Sequence, residues 1–168
     1  MVAPTNYTVG LDSARVARAL ELAPDVLIEE LIPAVIEAQL LAEREIRERT
    51  PTSGAGTLRD SIGALPVKFS ETAVIGEVGT ALAYAQPVET GSKAHFPPVE
   101  PIADWVRRKL GIKDEAQAKS IAFAIARKIS IEGSEGAFMF RDGLAFAQAQ
   151  ILEILGAGVD RALARAEQ

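Results

Sequence analysis

Apolar residues recur at Leu27, Leu31, Val35, Ala38, Ala42 and Ile46, in steps of four, four, three, four and four. Those steps trace one face of an α-helix. Pro24 sits where a helix favours proline, at its first position, and Asp25, Glu29 and Glu30 follow near the positive end of the helix dipole. Glu43 with Arg47 and Glu45 with Arg49 are i,i+4 pairs in the favourable order. A helix over 24–49 runs roughly 39 Å, and Pro33 is expected to kink it or split it. A face this long needs cover, either from the chain's own core or from another subunit.

The chain has 168 residues, enough for one domain and a sizeable core. A folded monomer of this mass exposes about 8,000 Å². The sequence contains no cysteine, which excludes disulfide scaffolds, cysteine-ligated zinc, iron–sulfur clusters and thiol nucleophiles. A single histidine, His95, excludes multi-histidine metal sites. Eighteen basic residues against 23 acidic ones give a net charge of −5, which argues against a general nucleic-acid binder. Aromatic residues are only 5% of the chain, so the core must be aliphatic and alanine-rich. No segment reads as a targeting signal, and no apolar stretch reaches the roughly 18 uncharged residues of a membrane span. The expectation is a chain made in a cytoplasm with nothing directing export.

The remaining pattern is α+β, a small antiparallel sheet between helices. Tyr7 to Leu11 reads as a short strand or arm. Asp12 and Ser13 are cap-type residues before a short helix from Ala14 to Leu20. Thr50 to Gly56 is a loop by composition, and Leu58 with Ile62 share a helical turn or enter a strand. Leu65, Val67 and Phe69 alternate with polar residues or proline, which predicts a half-buried strand. With a turn at Ser70–Thr72 and a return over 73–78 they form a hairpin, 65–79, in which Gly76 and Gly79 suggest a bulge or a close backbone approach. Residues 81–101 read as irregular and proline-stiffened. Pro98 opens a helix with Val99, Ile102, Val106 and Leu110 on one face, and Gly111 closes it. Asp114 with Gln117 resembles a capping box for a helix whose face is Ala118, Ile121, Ile125 and Ile129. A loop over 133–140 holds a possible strand at 137–140. The last helix is expected over 142–166, with Gly156 and Gly158 weakening its final turns. The expected organisation is a single α+β domain over 1–168, with an N-terminal helical extension, 1–49, and that C-terminal helix.

No catalytic pattern is complete. Gly54 and Gly56 start a dinucleotide-type spacing, but Arg59 stands where the third glycine belongs, and no P-loop ending follows. Gly133-Ser134-Glu135-Gly136 has the wrong spacing for a nucleophile elbow. His95, beside Lys93 and Phe96, reads as a surface or interface residue rather than a general base. Arg107, Arg108 and Lys109 form a basic cluster with Lys113, but three successive helical positions fan over roughly 200°. They complement the helix dipole, or meet a partner's acidic surface, rather than serving one DNA groove. Trp105 is either a core residue or an interface anchor.

One set of short motifs resembles a known family. Thr57-Leu58-Arg59-Asp60-Ser61-Ile62, a hairpin, Tyr84-Ala85, Val88-Glu89-Thr90-Gly91-Ser92 and then Pro97-Pro98 are similar to the gene-product-ten-like group of head–tail joining or tail-completion proteins of long-tailed phages and prophages. Pro51, Thr52 and Gly54 match the lead-in to the first motif, with Ala55-Gly56 as an apparent insertion. Ser92 stands where threonine is commoner. The stretch from Pro98 to Leu110 is also similar to longer members, and the resemblance covers roughly residues 40 to 140.

The resemblance implies a non-enzymatic virion protein with no cofactor. It implies a ring, usually sixfold, between head connector and tail tube, in contact with head-completion, connector, tail-tube or terminator proteins. The candidate subunit or partner interface is Leu58, Arg59, Tyr84, Val88, Glu89, Lys93, His95, Phe96, Pro97, Pro98, Trp105 and Arg108. A sixfold ring of such subunits carries about −30 charges, and an acidic lumen would let DNA slide without binding; alternatively the acids face outward for solubility. The competing reading is a small cytoplasmic α+β enzyme or ligand-binding domain.

Overall fold

The computed structural model describes residues 6–10, 14–52, 56–69 and 73–166. In chain order the elements are α1 (Ala14–Leu22), α2 (Pro24–Arg49), α3 (Thr57–Ser61), β1 (Gly63–Ala64), β2 (Lys68–Phe69), β3 (Val74–Ile75), β4 (Val78–Gly79), α4 (Ala85–Thr90), β5 (Gly91–Ser92), α5 (Val99–Leu110), α6 (Glu115–Glu132), β6 (Ser134–Glu135) and α7 (Met139–Ala166). The class is α+β, with long helices and two-stranded antiparallel pairs. The residues pack as two compact units. One holds 1–49, 62–81 and 139–168; the other holds 50–61 and 82–138.

In the first unit the stripe on α2 does what its spacing requires. Leu27, Val35, Ala38, Ala42 and Ile46 are buried, and Leu31 is half-buried. The helix runs unbroken through Pro33 rather than splitting there. Pro33 is exposed, as is Glu29 one turn earlier. The carbonyl that loses its partner to the proline therefore faces water rather than the core. The partner of α2 is α7, which runs antiparallel to it. Leu27 packs with Val159 and Ala162 near one end, flanked by Val16, Leu31 and Leu163. Gly158 lies against Ala34, and Gly143 lies against Ile46. Two glycines thus let the helices approach closely, so Gly158 sits in a packed contact rather than in a fraying end. The last helix also starts at Met139, three residues earlier than the expected start at Asp142.

The hairpin lies on α2. Gly63 pairs with Gly79 and Ala64 with Val78. Farther out, Lys68 pairs with Ile75 and Phe69 with Val74. Between these pairs three residues, Leu65–Val67, face two, Gly76–Glu77, which is a bulge. Gln39 fills the gap, donating from Nε2 to the carbonyls of Leu65 at 2.8 Å and Glu77 at 2.9 Å. The Ala64 amide donates to Glu43 at 2.9 Å. Gly76 provides the close approach its sequence position suggested: a Cβ there would sit 2.6 Å from Val35 Cγ1 and Gln39 Cγ. The hairpin is as expected, but of the half-buried strand expected over 65–69 only Lys68–Phe69 is strand. Leu65 and Phe69 are exposed and Val67 is half-buried, because the bulge resets the register between the inner and outer pairs. The expected turn at 70–72 lies outside the described residues, as do the caps Asp12 and Ser13. Tyr7–Gly10 has no regular structure.

The second unit is built on α5 and α6. Asp114 caps α6, its Oδ1 accepting from the Gln117 amide at 2.9 Å. Gly111 ends α5 in the left-handed conformation at φ 68°. The fully buried stripe on α6 is Ala118, Ala122 and Ala126, while Ile121, Ile125 and Ile129 are half-buried. On α5 the buried positions are Ala103 and Val106. The stretch expected to be irregular contains α4 and β5, and β5 pairs with β6 (Gly91↔Glu135, Ser92↔Ser134). The expected strand at 137–140 is absent: β6 lies at 134–135, and Met139 already belongs to α7. The amides of Ala137 and Phe138 donate instead to the carbonyls of Val88 and Glu89 at 2.8 and 3.0 Å.

Candidate functional site: an aromatic groove on the second unit

The α5 helix has a second face. Pro101, Ile102, Trp105 and Arg108 follow one another at steps of one, three and three, beside the buried Ala103–Val106 stripe. They line a solvent-open groove of about 650 Å³. Tyr84 and Val88 border it, from the cap and the body of α4; Leu58 and Thr57 border it from α3 and Ile125 from α6. Pro51 adds a further rigid ring.

The groove gathers five of the twelve residues assigned to an interface: Leu58, Tyr84, Val88, Trp105 and Arg108. They come from four separate sequence motifs. Leu58 is buried and Trp105 is half-buried, so their indole and isobutyl surfaces are partly committed to packing. The other seven lie elsewhere. Arg59 is exposed and pairs with Asp60 at 3.5 Å. Glu89 is buried. Lys93 is exposed, and its carbonyl lies 2.9 Å from His95 Nδ1. Phe96 tilts against Phe123 at 5.8 Å between ring centroids. Pro97 is half-buried, and Pro98 caps α5. Pro51, Pro101, Ile102 and Ile125 were missed as groove residues. The steps from Pro101 to Arg108 were the available signal, masked by the stronger Val99–Val106 pattern on the same helix.

The basic cluster separates as its helical spacing demands. Arg107 pairs with Asp104, whereas Arg108 turns into the groove. Arg108 makes no hydrogen bond or ion pair to any of the described residues. It is also the one charged side chain among the groove's lining residues. Next along the chain, Glu115 pairs with Lys119 at 2.8 Å. The hydrogen bond from Lys119 holds the Glu115 carboxyl below its ordinary value, and the same bond raises the lysine.

His95 is exposed and lies outside any helix or strand, and among the described residues no group of three His, Asp or Glu side chains is placed to hold a metal. Among the described residues no helix is long and apolar enough to cross a membrane. No protein-family model, curated protein or solved structure matches the chain.

Proposed function

We propose that the chain is a structural subunit of a long-tailed phage or prophage, forming a ring at the neck that joins or completes the tail and lets DNA pass. The observation that carries this reading is the amount of large apolar surface left open. In the first unit Ile36, Leu40, Leu65, Phe69, Ile75 and Phe146 are exposed by between 44% and 69%. Tyr84, Phe96, Leu110, Phe123 and Ile131 fall in the same range in the second. Single exposed apolar residues are ordinary. A set this large in a chain with so few aromatics is what an assembly subunit presents to its neighbours.

Heterologous contacts that close on themselves would cover such surface and make a ring. The motif resemblance supplies the setting, a virion neck, and the net charge of −5 suits a lumen that does not hold DNA.

The test is a protein inventory, by mass spectrometry, of purified particles from the phage or induced prophage that encodes the chain. The reading expects the chain in full particles and in isolated tails or necks, at a small multiple of the copy number of the portal ring. Particles that assemble fully without it would overturn the proposal.

A further inference from the structure

The groove on the second unit has the makings of a recognition site for an extended peptide. Its walls are rings: Pro51, Pro101, Tyr84 and Trp105. Proline and aromatic side chains lose little rotamer freedom on contact, so they bind apolar groups at low entropic cost. Aromatic- and proline-lined grooves open along their length are the form that docks extended segments. At about 650 Å³ the space admits side chains rather than a helix.

Arg108 adds the polar term. Its neighbour Arg107 is neutralised by Asp104, but Arg108 faces the groove with no partner among the described residues, and no carboxylate lines the groove beside it. A guanidinium offers a planar fork that matches a carboxylate in two parallel hydrogen bonds. An anion alone would find one charge on an apolar bed, and an apolar side chain alone would leave the cation unanswered. A peptide with both fits.

We infer that this groove binds an extended peptide segment of a partner protein, placing a large apolar or aromatic side chain between Tyr84 and Trp105 and an adjacent carboxylate on Arg108. The site stands on the groove alone and does not depend on ring formation. A strictly monomeric chain would leave it intact, and a ring with an empty groove would contradict it.

Trp105 is the only tryptophan in the chain, so its emission reports the site directly. A random peptide library free of tryptophan is selected on the full-length protein, and the selected peptides are titrated against it while Trp105 emission is followed. The expected result is enrichment of peptides pairing an aromatic or large aliphatic residue with Asp or Glu, saturable emission changes, and binding about tenfold weaker to Arg108→Gln. Amidated and free-acid versions of each peptide separate a side-chain carboxylate from a terminal one; either satisfies the inference. Because Arg108 is exposed, the variant is expected to fold, and a circular dichroism spectrum checks that. Trp105→Leu, followed by calorimetry, should lose binding as well. An empty selection, selected peptides without a carboxylate, or equal affinity for wild type and Arg108→Gln would overturn the inference, as would binding only of small aromatic carboxylates.

Discussion

The side-chain amide of Gln39 bonds the main-chain carbonyl of Glu77 at 2.9 Å, and the same nitrogen bonds the carbonyl of Leu65 at 2.8 Å. One buried polar residue on α2 thus holds both strands at the point where the hairpin ladder is broken by its bulge. Without it, the Leu65 carbonyl would lose this donor, and the Glu77 carbonyl would keep only the Leu65 amide, at 2.8 Å. Buried backbone acceptors left open are costly.

Replacing Gln39 by leucine keeps much of the volume and removes both bonds. The expected loss is about 2 kcal/mol of unfolding stability, read as a lower urea midpoint. Amide exchange should rise selectively over residues 63–79. A midpoint unchanged from wild type would mean that water replaces the amide without loss.

The glycines of α7 should respond in opposite directions. A Cβ on Gly143 would meet the Cα and N of Ile46 at 2.9 Å, atoms that cannot move aside without shifting α2. Gly143→Ala is therefore expected to cost about 1–3 kcal/mol by overpacking. Gly156 has nothing within 4 Å of the same position. Gly156→Ala should stabilise the helix by roughly 1 kcal/mol, since alanine suits a helix interior better. Thermal or urea unfolding of the two single variants checks the contrast.

Acid should loosen the first unit through two carboxylates. Hydrogen bonds from Arg44 first, then Arg49, hold Glu45 below its ordinary value of 4.5. Hydrogen bonds from Arg165, then Arg161, do the same for Glu30. In both cases the unfolded chain takes up the proton at higher pH than the folded one. Their contribution is fully present above 4.5 and is lost as pH falls through the lowered folded values. Urea midpoints measured from neutral pH downward should fall below 4.5, and Glu45→Gln should flatten that fall more than Glu30→Gln. The reason is exposure: the Glu45 side chain is 5% exposed against 19% for Glu30, and Arg49 is 29% exposed where Arg161 and Arg165 are about half in water and screened, although Arg44 is itself 60% exposed.

The parts of this fold that were legible from sequence are those with a local cause. The α2 stripe follows from its period, the Glu43–Arg47 pair from i,i+4 geometry, and the α6 start from the Asp114 side chain. The misreadings share a different origin, in contacts distant along the chain. Leu65, Val67 and Phe69 alternate like a strand, but Gln39, 26 residues earlier than Leu65, takes a carbonyl from that segment. The β5–β6 pair joins Ser92 to Ser134, 42 residues away, through two residues on each side, too few to leave a period. On α6 the expected face was Ala118 with three isoleucines, yet Ala118, Ala122 and Ala126 are the fully buried positions and the isoleucines are half-buried. The groove was half legible. Tyr84, Trp105 and Arg108 were marked by their motifs, but Pro51 and Ile125 join them only through the fold.

We propose that copies of the chain cover the apolar side chains left open on each one. Sedimentation velocity over a wide range of protein concentration tests this. The expected result is a shift from monomer to one closed species of fixed size, and a loss of that species in the double variant Leu40→Ser, Phe69→Ser. A single monomeric boundary at every concentration would contradict it.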